Sequence, residues 1–110
     1  MRTRFGATSA PLRPADVSVA VLNATNVPGL AAQFGDKVEA EGFQKDSVGN
    51  FNGGQRAESV VMYAPSRKRQ ASLGRRQFDI NAIEPVDEEL RASVAPNADV
   101  LLVIGSDKTQ

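Results

Sequence analysis

Val17-Ser18-Val19-Ala20-Val21-Leu22-Asn23-Ala24-Thr25-Asn26-Val27-Pro28-Gly29-Leu30-Ala31 changes its hydrophobic period part-way along, and that change decides the fold. Its first six residues are a β-branched run with partial alternation, the pattern of a mostly buried strand. Asn23 and Asn26 then suit turn geometry, and Pro28 suits the first turn of a helix because it has no N–H to leave unsatisfied. From there Leu30, Ala31, Phe34 and Val38 recur at helical spacing, and Gly42 stands where a left-handed C-terminal cap is expected. Gly35, inside the helix, costs about 1 kcal/mol relative to alanine, which close packing against a sheet explains.

Outward from this unit, residues 43–51 carry a weaker strand signal through Val48 and Phe51, followed by the turn residues Asn52, Gly53 and Gly54. Residues 59–64 (Ser-Val-Val-Met-Tyr-Ala) read as the next strand, closed by Pro65; the two are expected to form a hairpin, and its 50–56 loop is a candidate lid, a role the sequence leaves open. Ser66 is the expected N-cap of a second helix reaching about Phe78, with Ala71, Leu73 and Phe78 as its thin apolar stripe. Residues 80–86 suit a short edge strand ended by Pro85, and residues 87–94 a short helix with acids in its first turn. Residues 99–105 (Asp-Val-Leu-Leu-Val-Ile-Gly) are the most apolar run and belong in the middle of the sheet. Upstream, residues 1–16, with Ser9, Pro11 and Pro14, read as a flexible linker or arm. The domain is then residues 17–107, with 108–110 as a tail. The element order predicts an α/β (α+β) two-layer sandwich: a mixed sheet of about four to five strands, two main helices, split βαβ-like.

With 110 residues the chain has room for one core, and its 41% hydrophobic and 24% charged residues are ordinary for a globular domain. It has no cysteine and no histidine, which removes thiolate nucleophiles, sulfur ligands, the commonest general base and the commonest metal ligand. No cofactor and no catalytic residue are expected. No apolar run approaches the roughly 18–20 residues of a membrane span, so any membrane contact would have to come through an anchor upstream of this chain. A formal charge of +0 and 5% aromatic residues argue against nucleic acid as a ligand.

Three residue groups are candidate binding sites. Asn23, Thr25, Asn26, Pro28 and Gly29 lie where a strand feeds a helix, a place where backbone N–H groups and the helix dipole can hold an anion or a sugar hydroxyl. The same residues also suffice to build a tight turn and cap the helix. Arg67, Lys68, Arg69, Arg75 and Arg76 put cations partly on one helix face, where arginine can match phosphate or carboxylate; the plainer reading is a solvated helix face. Phe51, with Met62 or Tyr63, can line an apolar pocket for a lipid or polyprenyl chain, or simply pack the core. The acids Glu84, Asp87, Glu88 and Glu89 have no convincing acid/base or metal spacing and suit a helix N-terminus. Asn23-Ala24-Thr25 also matches a glycosylation sequon but reads as turn chemistry, and no phosphate-loop motif is present.

Residues 19–31 resemble the strand-to-helix segment of the LytR C-terminal domain family. Residues 58–65 (Glu-Ser-Val-Val-Met-Tyr-Ala-Pro) resemble that family's second block, and residues 98–107 (Ala-Asp-Val-Leu-Leu-Val-Ile-Gly-Ser-Asp) its closing strand. Order and spacing agree across roughly residues 17–107. Ala24, where the family often has glycine, and the arginine-rich helix after Pro65, which is often alanine- and leucine-rich, depart from the pattern. The resemblance implies an extracytoplasmic domain of Gram-positive or actinobacterial envelopes, found behind glycopolymer-attaching catalytic domains or on a single membrane anchor, as in mycobacterial envelope-integrity proteins. The expected function is non-enzymatic binding or scaffolding, with a cell-wall glycopolymer, a lipid-linked precursor or an envelope protein as partner. Alternatives are an accessory or enzymatic role in glycopolymer transfer to peptidoglycan, and nucleic-acid binding through the basic helix.

Overall fold

The strand-to-helix stretch folds as its change of period implies. In the computed structural model, which describes residues 12–51 and 54–108, β1 spans Ser18–Asn23 and α1 spans Leu30–Ala40. Pro28 precedes the helix, whose N-cap is Gly29 at φ 79, a left-handed conformation suited to glycine. At the other end Gly42 has φ 93; its N–H donates to Glu39 O and the Phe43 N–H to Val38 O. These two bonds make the glycine-terminated cap expected from the sequence, and Phe43 and Val38 share one buried cluster.

The chain continues through β2 (Gln44–Asn50), β3 (Val60–Tyr63), α2 (Lys68–Gln77), β4 (Ala82–Pro85), α3 (Glu88–Val94) and β5 (Val100–Ile104), with single 3-10 turns at Pro14–Asp16 and Ser106–Lys108. The five strands lie in the order β2-β1-β5-β3-β4. β1 pairs parallel with β2 and β5, β4 pairs parallel with β3, and β3 runs antiparallel to β5. The fold is therefore α+β with a mixed five-stranded sheet in a two-layer sandwich. Each βαβ unit keeps its two strands as immediate neighbours, and the insertion that splits the sheet is β5, placed between the units.

β5 takes the centre because it is apolar on both faces. Val100, Leu102 and Ile104 join α1 and α2 in one buried cluster, while Leu101 and Val103 join Ala20, Leu22, Val60 and Met62 in the other, under α3. Each such side chain contributes about 1.5–3 kcal/mol through burial. The expected hairpin between residues 43–51 and 59–64 does not form: α1 returns the chain beside β1, making β2 an edge strand, and β3 finds its antiparallel partner in β5. At that edge Gly35 lets α1 pack closely on β2, since a Cβ there would lie 2.9 Å from Val48 Cγ2 and displace that side chain.

Two other expectations change. Ser66 does not cap α2; it has φ 69, incompatible with the extended backbone of an N-cap, and Arg67 takes that position without a side-chain cap bond. The last part of the supposed arm belongs to the packed body: Leu12 sits against the core cluster and Gln44 Nε2 donates to Ala15 O. Residues 1–11 of the arm, Asn52 and Gly53 of the candidate lid, and Thr109 and Gln110 of the tail lie outside the described residues.

Candidate functional site

The side chains of Asn23 and Thr25 close the loop after β1 on itself. Asn23, 7% exposed, accepts from Thr25 N at 2.9 Å and Thr25 Oγ1 at 2.6 Å, and its Nδ2 donates to Val27 O at 2.8 Å. The Val27 N–H in turn donates to Thr25 Oγ1. The Thr25 and Val27 N–H groups are therefore engaged in the turn. Thr25, Asn26 and Val27 still line an open cleft of about 290 Å³ with Gln55, Arg56 and Ser106, whereas Pro28 and Gly29 lie outside it.

Beside this cleft, Ser59 Oγ donates to Asp107 Oδ1 at 2.6 Å and accepts from Gly105 N at 2.8 Å, while the Ser59 N–H donates to the same carboxylate. A Cβ on Gly105 would lie 2.6 Å from the Glu58 carbonyl carbon, so only glycine fits. This network ties the end of β5 to the start of β3. It holds Ser59, 1% exposed, as a structural hydroxyl.

The basic set divides into distinct surfaces. Arg67 Nε binds Asp99 Oδ1 at 3.0 Å, and Asp99 Oδ2 accepts from Ser18 N, so Arg67 serves the joint between α2 and β1. Arg69 and Arg76 lie two turns apart on α2 with Ser72 between them, and these three line a groove of about 330 Å³ floored by Leu12 and Leu73. Lys68 and Arg75 lie outside the groove. Among the described residues, Lys68, Arg69, Arg75 and Arg76 take part in no ion pair. Ser72 is legible in the sequence as the middle position of an i, i+3, i+7 face; Leu12 is not, because its contact with α2 is purely tertiary.

Alternation along β3 separates the apolar candidates. Met62 faces the α3 side, where it lines a cleft of about 300 Å³ with Phe51, Glu84, Pro85, Asp87 and Leu90. Tyr63 points to the opposite face and packs against the α1/α2 cluster, so it is no part of that pocket. Asp87 caps α3 by accepting from Glu89 N at 3.0 Å, and Glu88 pairs with Arg91. Among the described residues no three carboxylates gather as a metal site.

Residues 16–107, nearly the whole packed body, match the sequence family described as LytR cell envelope-related transcriptional attenuator, LytR_C. The chain belongs to this family. The LytR_C fold is also seen in the crystal structure of the soluble domain of a conserved hypothetical secreted protein, an Rv2700 ortholog, from Mycobacterium marinum. That domain has a TM-score of 0.64 and 19% identity over 88% of this chain. This chain covers 64% of it, less than two thirds of its length. The solution structure of the C-terminal domain of RV0431 has a TM-score of 0.50 at 22% identity, covering 96% of this chain and 86% of that one. No curated protein sequence matches the chain. LytR_C membership makes this a cell-envelope-related domain, and among the described residues no helix is long and apolar enough to cross a membrane.

Proposed function

We propose that this LytR_C domain is a non-enzymatic, extracytoplasmic binding module that holds an anionic envelope component, a phosphate-bearing glycopolymer or the headgroup of a lipid-linked precursor, on α2. One observation carries the reading: Arg69, Ser72 and Arg76 line one open groove, and among the described residues neither arginine forms an ion pair with a carboxylate. Two guanidinium groups and a hydroxyl along one helix face suit repeating phosphates better than a single small anion. An enzymatic role in polymer transfer is less well supported, because Ser59, the buried serine next to a carboxylate, already uses its hydroxyl in a network with Gly105 and Asp107.

The test is amide NMR of the 110-residue chain during addition of poly(glycerol phosphate), with a neutral peptidoglycan fragment as comparison. Shifts over α2 that weaken with added salt are expected. Reversing both charges, Arg69→Glu with Arg76→Glu, reduces affinity by at least about tenfold, while stability changes by no more than about 0.5 kcal/mol because both side chains are exposed. Binding that is unchanged in this variant, or no shift over α2, overturns the assignment.

A further inference from the structure

The cleft on the α3 side has a chemistry opposite to that of the α2 groove. Phe51 and Leu90 are half-buried and Met62 forms part of its floor, so the lining is mainly apolar. Glu84 and Asp87 stand on its wall, and among the described residues neither forms an ion pair with a lysine or arginine. The Phe51 ring already carries a cation: the Arg56 guanidinium lies over it at 6.0 Å from the centroid.

We propose that this cleft docks a short segment of a partner protein that places one apolar side chain between Phe51, Met62 and Leu90 and a lysine or arginine against Glu84 and Asp87. The two carboxylates select the occupant, because they repel a phosphate headgroup and attract a cationic flank. The adjoining strand supplies side chains rather than backbone pairing. Val86 N donates to Tyr63 O, so by alternation Pro85 turns toward the open edge of β4, where it has no N–H to offer an added strand. With the arginine groove on the other face of the sheet, the domain would bridge an anionic ligand on one side and a basic protein segment on the other. This assignment does not depend on the α2 reading.

The chain has two methionines, Met1 and Met62, so a methyl-labelled methionine spectrum holds two signals, and the Met62 signal, assigned by its loss in Met62→Leu, reads the cleft directly. The probes are the peptide acetyl-Gly-Lys-Leu-Lys-Gly-amide, its counterpart with both lysines replaced by glutamate, and geranylgeranyl phosphate. The lysine peptide is expected to move the Met62 methyl signal saturably, and the glutamate peptide to leave it in place. The double variant Glu84→Gln, Asp87→Asn keeps an N-cap residue for α3 and lowers the lysine peptide's affinity by about tenfold. Glu84→Gln alone, remote from the cap, gives a smaller loss in the same direction. Equal response to both peptides, movement by geranylgeranyl phosphate in place of the lysine peptide, or a shift that depends only on protein concentration overturns the proposal. The last two results assign the cleft to a lipid and to a second copy of the chain, respectively.

Discussion

The Asn23 side chain is a buried carboxamide that closes its own loop, accepting twice from Thr25 and donating to Val27 O. Asn23→Ala leaves the Thr25 N–H and the Val27 carbonyl to find new partners in a half-buried setting. The expected cost is about 1–3 kcal/mol in chemical denaturation, with no specific effect on ligand affinity in the fraction that remains folded. A variant that keeps its stability but loses binding would instead make Asn23 a ligand contact. At this scale the sequence supports both roles, because the residues that build a tight turn are the same types that hold an anion. Only the partner atoms distinguish them.

Among the elements, burial ranks the strands. Leu101 in β5 is fully buried between β1 and β3, whereas Ile83 in the edge strand β4 is only partly buried. Leu101→Ala should cost about 3 kcal/mol and Ile83→Ala about 1 kcal/mol, measured as shifts in urea midpoint at unchanged m-value. Equal losses would mean that the β4 edge is covered in solution. α2 shows the complementary case: its buried Ala71, Leu73 and Gly74 hold it to the sheet, which leaves Arg69 and Arg76 exposed along the groove.

For the whole molecule, the last strand is the one that joins the two halves. Residues 18–50 and 60–85 are βαβ units of a size that rarely folds alone, and β5 hydrogen-bonds to a strand of each. Removing residues 99–110 should therefore abolish the dispersed amide spectrum, leaving neither unit folded. A truncated chain that retains native-like β1/β2 signals would show that the first unit is autonomous. The same architecture puts the arginine groove and the carboxylate-rimmed cleft on opposite faces of one sheet.

By itself, the sequence determined the element types and their order, including the buried central strand at residues 99–105, the glycine cap at Gly42 and the acid-led α3. Those features rest on hydrophobic period and local backbone chemistry, which act over a few residues. Tertiary structure alone decided the pairing: β5 between β1 and β3 in place of a hairpin, Leu12 against α2, Met62 separated from Tyr63 at the cleft, and Arg67 drawn off to Asp99. These are contacts between residues far apart in the chain or choices between two sheet faces. They are settled by competition among strands for the most buried place in the sheet, which no local pattern encodes.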